Sequence, residues 1–247
     1  MNERRIKILE MLNDAGSLEV GVLAQELDVS AVTVRKDLAA LEEKGLLRRQ
    51  HGCAVRVSQD DVNYRLIFNY EVKKRIAQHA AQMVENGETI MIESGSTCAM
   101  LAAELAAKKR DITILTNSAF IAAHIRSFPG ARAVLLGGSY EPDAQVMTGP
   151  LVRLCAREFF VDKFYIGADG FDVEQGFSNV NLSRAEAVRS MARSARMRII
   201  LTDSSKFNRR GVVALMPLPE IAVVITDAVP DNCRKSLEEN GVNIVIV

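Results

Sequence analysis

The chain has 247 residues, of which 48% are hydrophobic and 25% charged, and its 31 basic and 31 acidic side chains give a formal net charge of zero. This length accommodates one small module and one full-sized domain with a sizeable core. Because the net charge is zero, any nucleic-acid binding must rest on the local distribution of charge.

The cysteines and the N-terminal sequence exclude several protein classes. Cys53, Cys98, Cys155 and Cys233 are scattered, with no CxxC pair and no histidine at metal-ligand spacing. We therefore predict no metal, no cofactor and a reducing, cytoplasmic compartment. The N-terminal sequence MNERRIKILEML is charged and amphipathic, unlike a signal peptide. No apolar run approaches the ~20 residues of a membrane span, so we expect no membrane partner.

Residues 1–57 predict three short helices and a hairpin. Apolar residues recur at helical spacing in residues 4–12, 20–27 and 31–44. Ser30 is a candidate N-cap of the third helix, and Gly45, which tolerates a positive φ, is expected to end it. Residues 46–57 predict a strand, a glycine turn and a second strand. This is the layout of a winged helix-turn-helix, and we assign residues 1–57 to a DNA-binding domain.

The third predicted helix carries the side chains expected of a DNA-recognition helix. In helix-turn-helix proteins the second helix of the motif lies in the major groove, and its first turn reaches the bases. Residues 31–56 contain six basic and three acidic side chains, so this part of the chain is locally basic. Arginine binds guanine bidentately, and lysine or arginine neutralises phosphates. The candidate DNA-binding residues are Ser30, Thr33, Arg35, Lys36, Arg48, Arg49, His51 and Gly52. The alternative is a small module that binds a protein partner, with these charges as a solvated surface.

The remaining residues predict a linker and a larger domain. Residues 58–72 are assigned to the linker and residues 73–247 to the larger domain, with a long helix over residues 70–84. Beyond Gly87, short apolar strands alternate with helices. This alternation predicts an α/β fold with a mostly parallel sheet that is covered on both faces.

A loop rich in glycine and hydroxyl groups follows the first predicted strand of this sheet. Glu93, Ser94, Gly95, Ser96 and Thr97 lie between the apolar sequence TIMI and an Ala/Leu-rich helix. Such a loop offers backbone N–H groups, hydroxyls and a helix N-terminus to a phosphate. A plain tight turn with a Ser or Thr cap has the same composition and stays open as the alternative.

Polar or glycine residues follow the next strands as well. The carboxyl ends of the strands in an open α/β sheet are where ligands bind. Each of these residues taken singly is a common cap or turn residue, but their repeated placement predicts a pocket for a sugar phosphate, with Lys206 a candidate for its charge. The further candidate effector-binding residues are Asn117, Ser118, Gly137, Gly138, Asp169, Gly170, Arg184, Glu186 and Lys206.

Two sets of motifs resemble a known family. The sequence VSAVTVRKDLAALEEKGLLRRQHGCA resembles the signature of the DeoR family of bacterial repressors, and ESGST, TNS, LGG, IGADG and LTDSSKF match the family's motifs in order. The resemblance implies a DNA-binding repressor of a carbohydrate operon. It also implies a sensor domain related in fold to ribose-phosphate isomerases and coenzyme A transferases, controlled by a phosphorylated sugar or related metabolite. The chain departs from the family pattern at Cys53, where a second wing glycine is usual, at Glu93, where Asp is usual, and at Val188, where Lys is common.

An enzyme is the alternative function. Asp169, Glu186 and Lys206 have the side chains for proton transfer, as a sugar-phosphate isomerase or transferase with an accessory N-terminal module would require. No dense cluster of acids and lysine follows IGADG, and residues 171–179 predict an ordinary turn. We therefore expect no catalytic residues. A scaffold protein without a ligand would leave the winged helix unexplained.

The expected mechanism needs more than one copy of the chain. A homo-oligomer, dimer or tetramer, places two winged helices on a roughly palindromic operator. Effector binding in the larger domain is expected to shift the helix over residues 70–84. Such coupling requires the effector to have different affinities for the two arrangements.

Overall fold

A computed structural model of the protein describes residues 3–58 and 60–247, and the chain divides into two compact units, Met1–Phe68 and Asn69–Val247. None of the helices in the described residues is long and apolar enough to cross a membrane. The first unit contains, in chain order, α1 (Glu3–Ala15), β1 (Ser17–Glu19), α2 (Val20–Glu26), α3 (Ala31–Glu43), β2 (Leu47–Gln50), β3 (Cys53–Arg56) and α4 (Val62–Ile67).

The first unit is a winged helix, as the sequence predicts. Its helices bury the apolar stripes that define them, including Leu9 of α1, Leu23 of α2 and Leu38 of α3. Ser30 caps α3 by accepting a hydrogen bond from the backbone N–H of Thr33 at 3.2 Å, and Gly45 follows the helix with a φ of +70°. The cap and the left-handed glycine fix where α3 begins and ends.

The strand β1 was not predicted. It pairs antiparallel with β3, which in turn pairs with β2, so the wing is a three-stranded sheet in the order β1-β3-β2. A strand of three residues is too short to show a two-residue period, so the hydrophobic pattern does not reveal it.

The segment predicted as a linker, residues 58–72, contains α4 and the beginning of the next helix. Asp61 caps α4 by accepting a hydrogen bond from the backbone N–H of Tyr64. The Tyr64 side chain is buried, its hydroxyl donates to the carbonyl of Leu9 at 3.0 Å, and burial raises the pKa of Tyr64 to about 12. The first unit therefore extends through Phe68 and includes α4, because α4 completes its core.

The second unit is built on a seven-stranded sheet in the order β15-β14-β12-β9-β4-β5-β6, in which every neighbouring pair is parallel. Its elements are α5 (Tyr70–Gln82), β4 (Thr89–Ile92), α6 (Ser96–Lys108), β5 (Ile112–Thr116), α7 (Ala119–Ile125), β6 (Ala131–Leu135), β7 (Ser139–Glu141), β8 (Val146–Thr148), α8 (Pro150–Arg157), β9 (Val161–Gly167), β10 (Gly170–Asp172), β11 (Gly176–Asn179), α9 (Leu182–Ala192), β12 (Ala195–Leu201), β13 (Val213–Ala214), β14 (Val223–Thr226), α10 (Asp231–Glu239) and β15 (Asn243–Ile246).

Both faces of this sheet are covered, as predicted. Ile90, Met91 and Ile92 are consecutive in β4 and all fully buried. Because neighbouring residues of a strand point to opposite faces, burial of all three requires a helical layer on each side. The α/β class of the second unit is thereby confirmed.

The prediction of an ordinary turn over residues 171–179 is wrong. These residues form most of the hairpin β10–β11, which β13 extends to a small antiparallel sheet in the order β10-β11-β13. Phe171 and Phe177 pack with ring centroids 4.7 Å apart, and Phe207 packs against Phe171 at 5.5 Å. This aromatic cluster stabilises the hairpin and anchors the segment that follows β12.

Candidate functional site

The exposed face of α3 carries the predicted base-reading side chains. Arg35 and Lys36 are exposed, whereas Val34 and Leu38 face the core. Within the described part of the chain, Arg35 and Lys36 form no salt bridge. Ser30 and Thr33 are engaged with each other through the cap, and their hydroxyl oxygens lie 3.0 Å apart. Of the predicted residues on this helix, Arg35 and Lys36 therefore offer the unneutralised cations.

A buried acid ties α3 to α1. The Asp37 side chain is 3% exposed, and its two oxygens accept hydrogen bonds from Nε of Arg4 at 2.5 Å and Nε of Arg5 at 2.7 Å. Burial raises the pKa of Asp37, but the hydrogen bonds and charges of Arg4 and Arg5 outweigh it and hold the pKa below its ordinary value. In the sequence, Asp37 is one of three acidic residues between 31 and 56, and nothing in the pattern indicates a structural role. Its contacts with Arg4 and Arg5 hold α3 against α1.

The wing turn consists of two left-handed residues. His51 has a φ of +49° and Gly52 a φ of +82°, and the flanking residues Gln50 and Cys53 pair across the hairpin. Two consecutive positive φ angles are typical of a two-residue hairpin turn, whose twist matches that of the strands. Cys53 lies in β3 outside this turn, so the departure from the family's second glycine falls at a position that needs no glycine conformation.

The two wing arginines differ in their surroundings. Arg48 is exposed and forms no salt bridge with the described residues. Arg49 donates its backbone N–H to Glu42 at 2.8 Å and its Nε to the other carboxylate oxygen at 2.5 Å. These hydrogen bonds lower the pKa of Glu42. Arg49 therefore joins the wing to α3 and has less charge to offer a phosphate.

The predicted effector loops follow five adjacent strands of the parallel sheet, β12, β9, β4, β5 and β6. Because parallel strands end at the same edge, the structure brings these loops to one edge of the sheet. We call this the carboxyl edge. Its loops are residues 202–206 after β12, 168–170 after β9, 93–95 after β4, 117–118 after β5 and 136–138 after β6.

Glu93 braces the centre of the carboxyl edge. One of its carboxylate oxygens accepts from the backbone N–H groups of Gly95 at 2.8 Å and Gly167 at 3.1 Å, and the other accepts from the hydroxyl of Ser94 at 2.8 Å. A Cβ on Gly95 would lie 3.3 Å from the Cα of Gly167, so the two backbones need this close approach. Glu93 and Ser94 therefore stabilise the loop through their hydrogen bonds, whereas Gly95 allows the backbone to pass close to Gly167 just before α6 begins.

The N-terminus of α6 lies next to this brace. Gly95 is its N-cap residue and provides no side-chain hydrogen bond to the first turn, and Ser96 and Thr97 are buried there. Unsatisfied N–H groups and the helix dipole favour an anion at such an end. Ser118, by contrast, caps α7 by accepting from the N–H of Ile121, so its hydroxyl is already used.

Asn117, at the end of β5, has an unsatisfied acceptor. Its amide nitrogen donates to the carbonyl of Met147 at 3.0 Å. Its side-chain oxygen is buried and has no hydrogen-bond partner among the described residues. An unpaired buried acceptor is costly, so this oxygen is a suitable partner for a ligand hydroxyl.

The glycines of the carboxyl edge permit close backbone packing. A Cβ on Gly138 would lie 2.4 Å from the carbonyl oxygen of Thr148, and one on Gly170 would lie 2.4 Å from that of Arg209. Gly137 meets only Cys155 at 3.9 Å. Asp169 accepts a hydrogen bond from the backbone N–H of Val180 at 3.2 Å. Gly138, Gly170 and Asp169 thus have structural contacts of their own at the edge.

Lys206 lies in a charged network that sequence reasoning missed. Asp203 is buried, and its carboxylate accepts from the backbone N–H of Ser205 at 3.1 Å and from the side-chain amide of Asn69 at 2.9 Å. Burial raises the pKa of Asp203, but the Ser205 hydroxyl, the charges of Lys206 and Lys73 and the Asn69 amide bring it below its ordinary value. Lys73 is itself buried in α5. The sequence does contain a signal for the burial of Lys73, because Lys73 lies three residues before Ile76 and therefore on the apolar face of α5.

Arg184 and Glu186 are not brought together. Arg184 is 3% exposed and faces Glu141, at 4.0 Å between Nε and Oε2. Glu186 is exposed and lines a groove of about 340 Å³ with Arg153 and Arg193. Residues two apart on a helix point in nearly opposite directions. Glu186 therefore lies apart from the groups with which it was predicted to act.

Two family models match the chain. The DeoR-like helix-turn-helix domain matches residues 4–60, and the DeoR C terminal sensor domain matches residues 68–228. Apart from Phe68, the two matches fall one in each of the two units that the structure separates.

Curated relatives match nearly the whole chain. It is 33% identical to the transcriptional repressor AccR of Agrobacterium fabrum, over 94% of this chain and 95% of that protein. It is 29% identical to a putative aga operon transcriptional repressor of Escherichia coli O157:H7, over 100% and 94%. It is 28% identical to the glycerol-3-phosphate regulon repressor of Haemophilus influenzae, over 98% and 96%.

Among solved structures, the chain is similar to ribose 5-phosphate isomerase A from Neisseria gonorrhoeae. The identity is 17%, over 62% of this chain and 56% of that chain, with a TM-score of 0.42.

Proposed function

This chain belongs to the DeoR family of transcriptional regulators, and we propose that it represses a carbohydrate-metabolism operon under the control of a phosphorylated sugar or related metabolite. The α3 helix and the wing bind operator DNA, and the carboxyl edge of the second unit binds the effector. The protein is a regulator and not an isomerase or transferase, since relatives that match it end to end are named as transcriptional repressors.

The DNA-binding part of the proposal is supported by exposed cations on a fixed frame. Arg35 and Lys36 lie on the exposed face of a helix that Asp37 ties to α1. Arg35 is the candidate for reading a guanine, and Lys36 and Arg48 are candidates for phosphate contacts. A homo-oligomer, dimer or tetramer, presents two such helices to a palindromic operator.

The effector part rests on one observation: the carboxyl edge combines an uncapped helix N-terminus with an unsatisfied buried acceptor and a cation. The first turn of α6 suits a phosphate, Asn117 suits a ligand hydroxyl, and Lys206 adds positive charge. A phosphorylated polyol or sugar carries both kinds of group. The name of the glycerol-3-phosphate regulon repressor supports the same class of effector.

Thermal unfolding of the full chain in the presence of sugar phosphates tests the effector site. We expect at least one of glucose 6-phosphate, fructose 6-phosphate, ribose 5-phosphate or glycerol 3-phosphate to raise the unfolding temperature. The double variant Ser96→Ala/Thr97→Ala should lose this response. The matched control Thr89→Ala/Ser127→Ala removes one threonine and one serine hydroxyl from exposed positions away from the carboxyl edge and should keep it. An equal response in both double variants would place the phosphate elsewhere.

A further inference from the structure

The residue at which the chain enters the second unit is bonded to the loop that carries Lys206. The boundary between the units falls between Phe68 and Asn69. Asn69 has a left-handed φ of +52° and precedes α5, and its side-chain amide donates to Asp203 Oδ1 at 2.9 Å. The polypeptide connection between the two units therefore begins, on the sensor side, at a residue held by the carboxyl edge.

Asp203 is the centre of this contact. Its carboxylate is buried, and a buried charge is stable only when hydrogen bonds and opposite charges compensate it. The compensation comes from three sources: the Ser205 backbone N–H and hydroxyl, the Asn69 amide, and the positive charges of Lys73 and Lys206. Asn69 and Lys73 both belong to the start of α5, where the Lys73 N–H also donates to the Asn69 carbonyl at 2.9 Å.

We propose that Asp203 couples effector occupancy to the DNA-binding unit through its hydrogen bond to Asn69. This inference rests on the proposed function, because it requires an anionic effector at the carboxyl edge. An effector phosphate and the Asp203 carboxylate are both attracted to the same lysines, Lys206 and Lys73. When the phosphate takes a share of that positive charge, Asp203 loses compensation and is repelled by the new negative charge nearby.

Repulsion by the phosphate moves the Asp203 carboxylate out of hydrogen-bonding distance of Asn69, so the Asp203–Asn69 bond is present in the empty site and absent in the occupied one. Such a difference is what an effector needs in order to shift a conformational equilibrium, because its affinity must differ between the two states. Rearrangement of Asn69 changes the backbone through which the units are joined. Lys73 is a second, buried cation of the effector site, and Asn69 is a coupling residue that does not touch the effector.

The Asn69→Ala variant separates coupling from binding. The operator is a duplex that the wild-type protein selects from a randomised DNA library, and the effector is the sugar phosphate that stabilises the wild type most. We expect Asn69→Ala to bind both, while the change in operator affinity caused by the effector falls to less than a third of its wild-type factor. The control Asn240→Ala loses a donated side-chain hydrogen bond of similar length, to the Ser236 carbonyl at 2.8 Å and away from the carboxyl edge, and should respond as the wild type does.

The Asp203→Asn variant gives a readout that general destabilisation does not produce. It removes a negative charge next to Lys206 and Lys73 while keeping an acceptor for Ser205. Affinity for inorganic phosphate, measured by competition with the sugar phosphate, should rise roughly fivefold or more. A destabilised or misfolded variant would lose affinity instead.

The outcomes are distinguishable. If no phosphate compound binds the wild type, the proposed function fails first. If the effector binds and Asn69→Ala retains the full wild-type change in operator affinity, coupling through Asp203 is overturned. Unchanged or weakened phosphate affinity in a folded Asp203→Asn protein would also overturn it, because Asp203 would then not share its lysines with the anion.

Discussion

The two candidate sites use polar side chains in opposite ways. On the winged helix, Arg35, Lys36 and Arg48 are exposed cations, and separate residues such as Asp37 hold the frame. At the carboxyl edge, Glu93, Asp203 and Ser118 are buried, and each already makes bonds that shape the site. DNA affinity can therefore change without a change in the fold, whereas a change at the effector site also affects stability.

The largest loss of stability is expected from a substitution at the carboxyl edge where two backbone segments pack directly against each other. Gly138→Ala should lower the free energy of unfolding of the sensor unit by about 3 kcal/mol, because the new Cβ would lie 2.4 Å from the Thr148 carbonyl oxygen. Gly137→Ala, whose Cβ meets only Cys155 at 3.9 Å, should cost less than about 1 kcal/mol. Urea denaturation measures both. Equal losses would mean that the edge is not rigid at this point.

A smaller loss of stability is expected in the winged helix from Asp37→Asn. This change leaves Arg4 and Arg5 without their shared carboxylate and should lower the free energy of unfolding of the first unit by about 2 kcal/mol. The loss is smaller than for a fully buried ion pair, because both arginines are partly exposed. Operator affinity should fall with it, because α3 loses its tie to α1. Asp28→Asn changes an exposed acid in a left-handed turn, where asparagine is well tolerated, and serves as the control.

The ion pairs of Asp37 with Arg4 and Arg5 make the stability of the winged helix depend on pH. The folded pKa of Asp37 lies below its ordinary value of 3.8, so the ionised form stabilises the fold. This stability is fully present above the unfolded pKa and is lost as the pH falls through the folded pKa. Between neutral pH and pH 3, the wild-type winged helix should therefore lose more stability than Asp37→Asn. If the free energy of unfolding falls equally with pH in the two proteins, the ionised Asp37 does not stabilise the fold through Arg4 and Arg5.

The smallest effects concern the exposed arginines. Arg35→Ala should weaken binding of the selected operator by about 1–2 kcal/mol, roughly five- to thirtyfold, and change binding of unrelated duplex much less. Arg49→Ala should weaken operator binding less than about threefold, because Glu42 already neutralises Arg49. Fluorescence anisotropy with both duplexes measures this difference. If Arg49→Ala proves as costly as Arg35→Ala, the wing reaches the DNA despite its ion pair.

The sequence predicts those elements that depend on hydrophobic periodicity and on turn or cap residues within a short stretch of chain. The first three helices of the winged unit, the cap at Ser30, the end at Gly45 and the parallel sheet all follow from periodicity and turn residues. The strand β1 and the docking of α4 depend on partners distant in sequence, so no local window contains them. The hairpin over residues 170–179 pairs locally, but β13 and Phe207, which pack against it, come about 30 residues later.

The candidate sites show the same limit. The loops of the carboxyl edge were identified because each follows an apolar strand. Glu93 also binds the backbone N–H of Gly167, and Asp37 binds two arginines of α1. The charge of Lys73 lowers the pKa of Asp203 from a distant part of the sequence. These interactions are tertiary, so no local sequence pattern predicts them. Arg184 and Glu186 are both candidate effector-binding residues in one helix, and the turn of that helix separates their side chains.

Reciprocal linkage between effector and operator tests the central claim most directly. Calorimetric titration of the stabilising sugar phosphate into the wild-type protein, with and without the selected operator, yields two dissociation constants. We predict that they differ by about fivefold or more, and that the effector changes operator affinity by the same factor. Identical constants with and without DNA would contradict control of operator binding by the carboxyl edge.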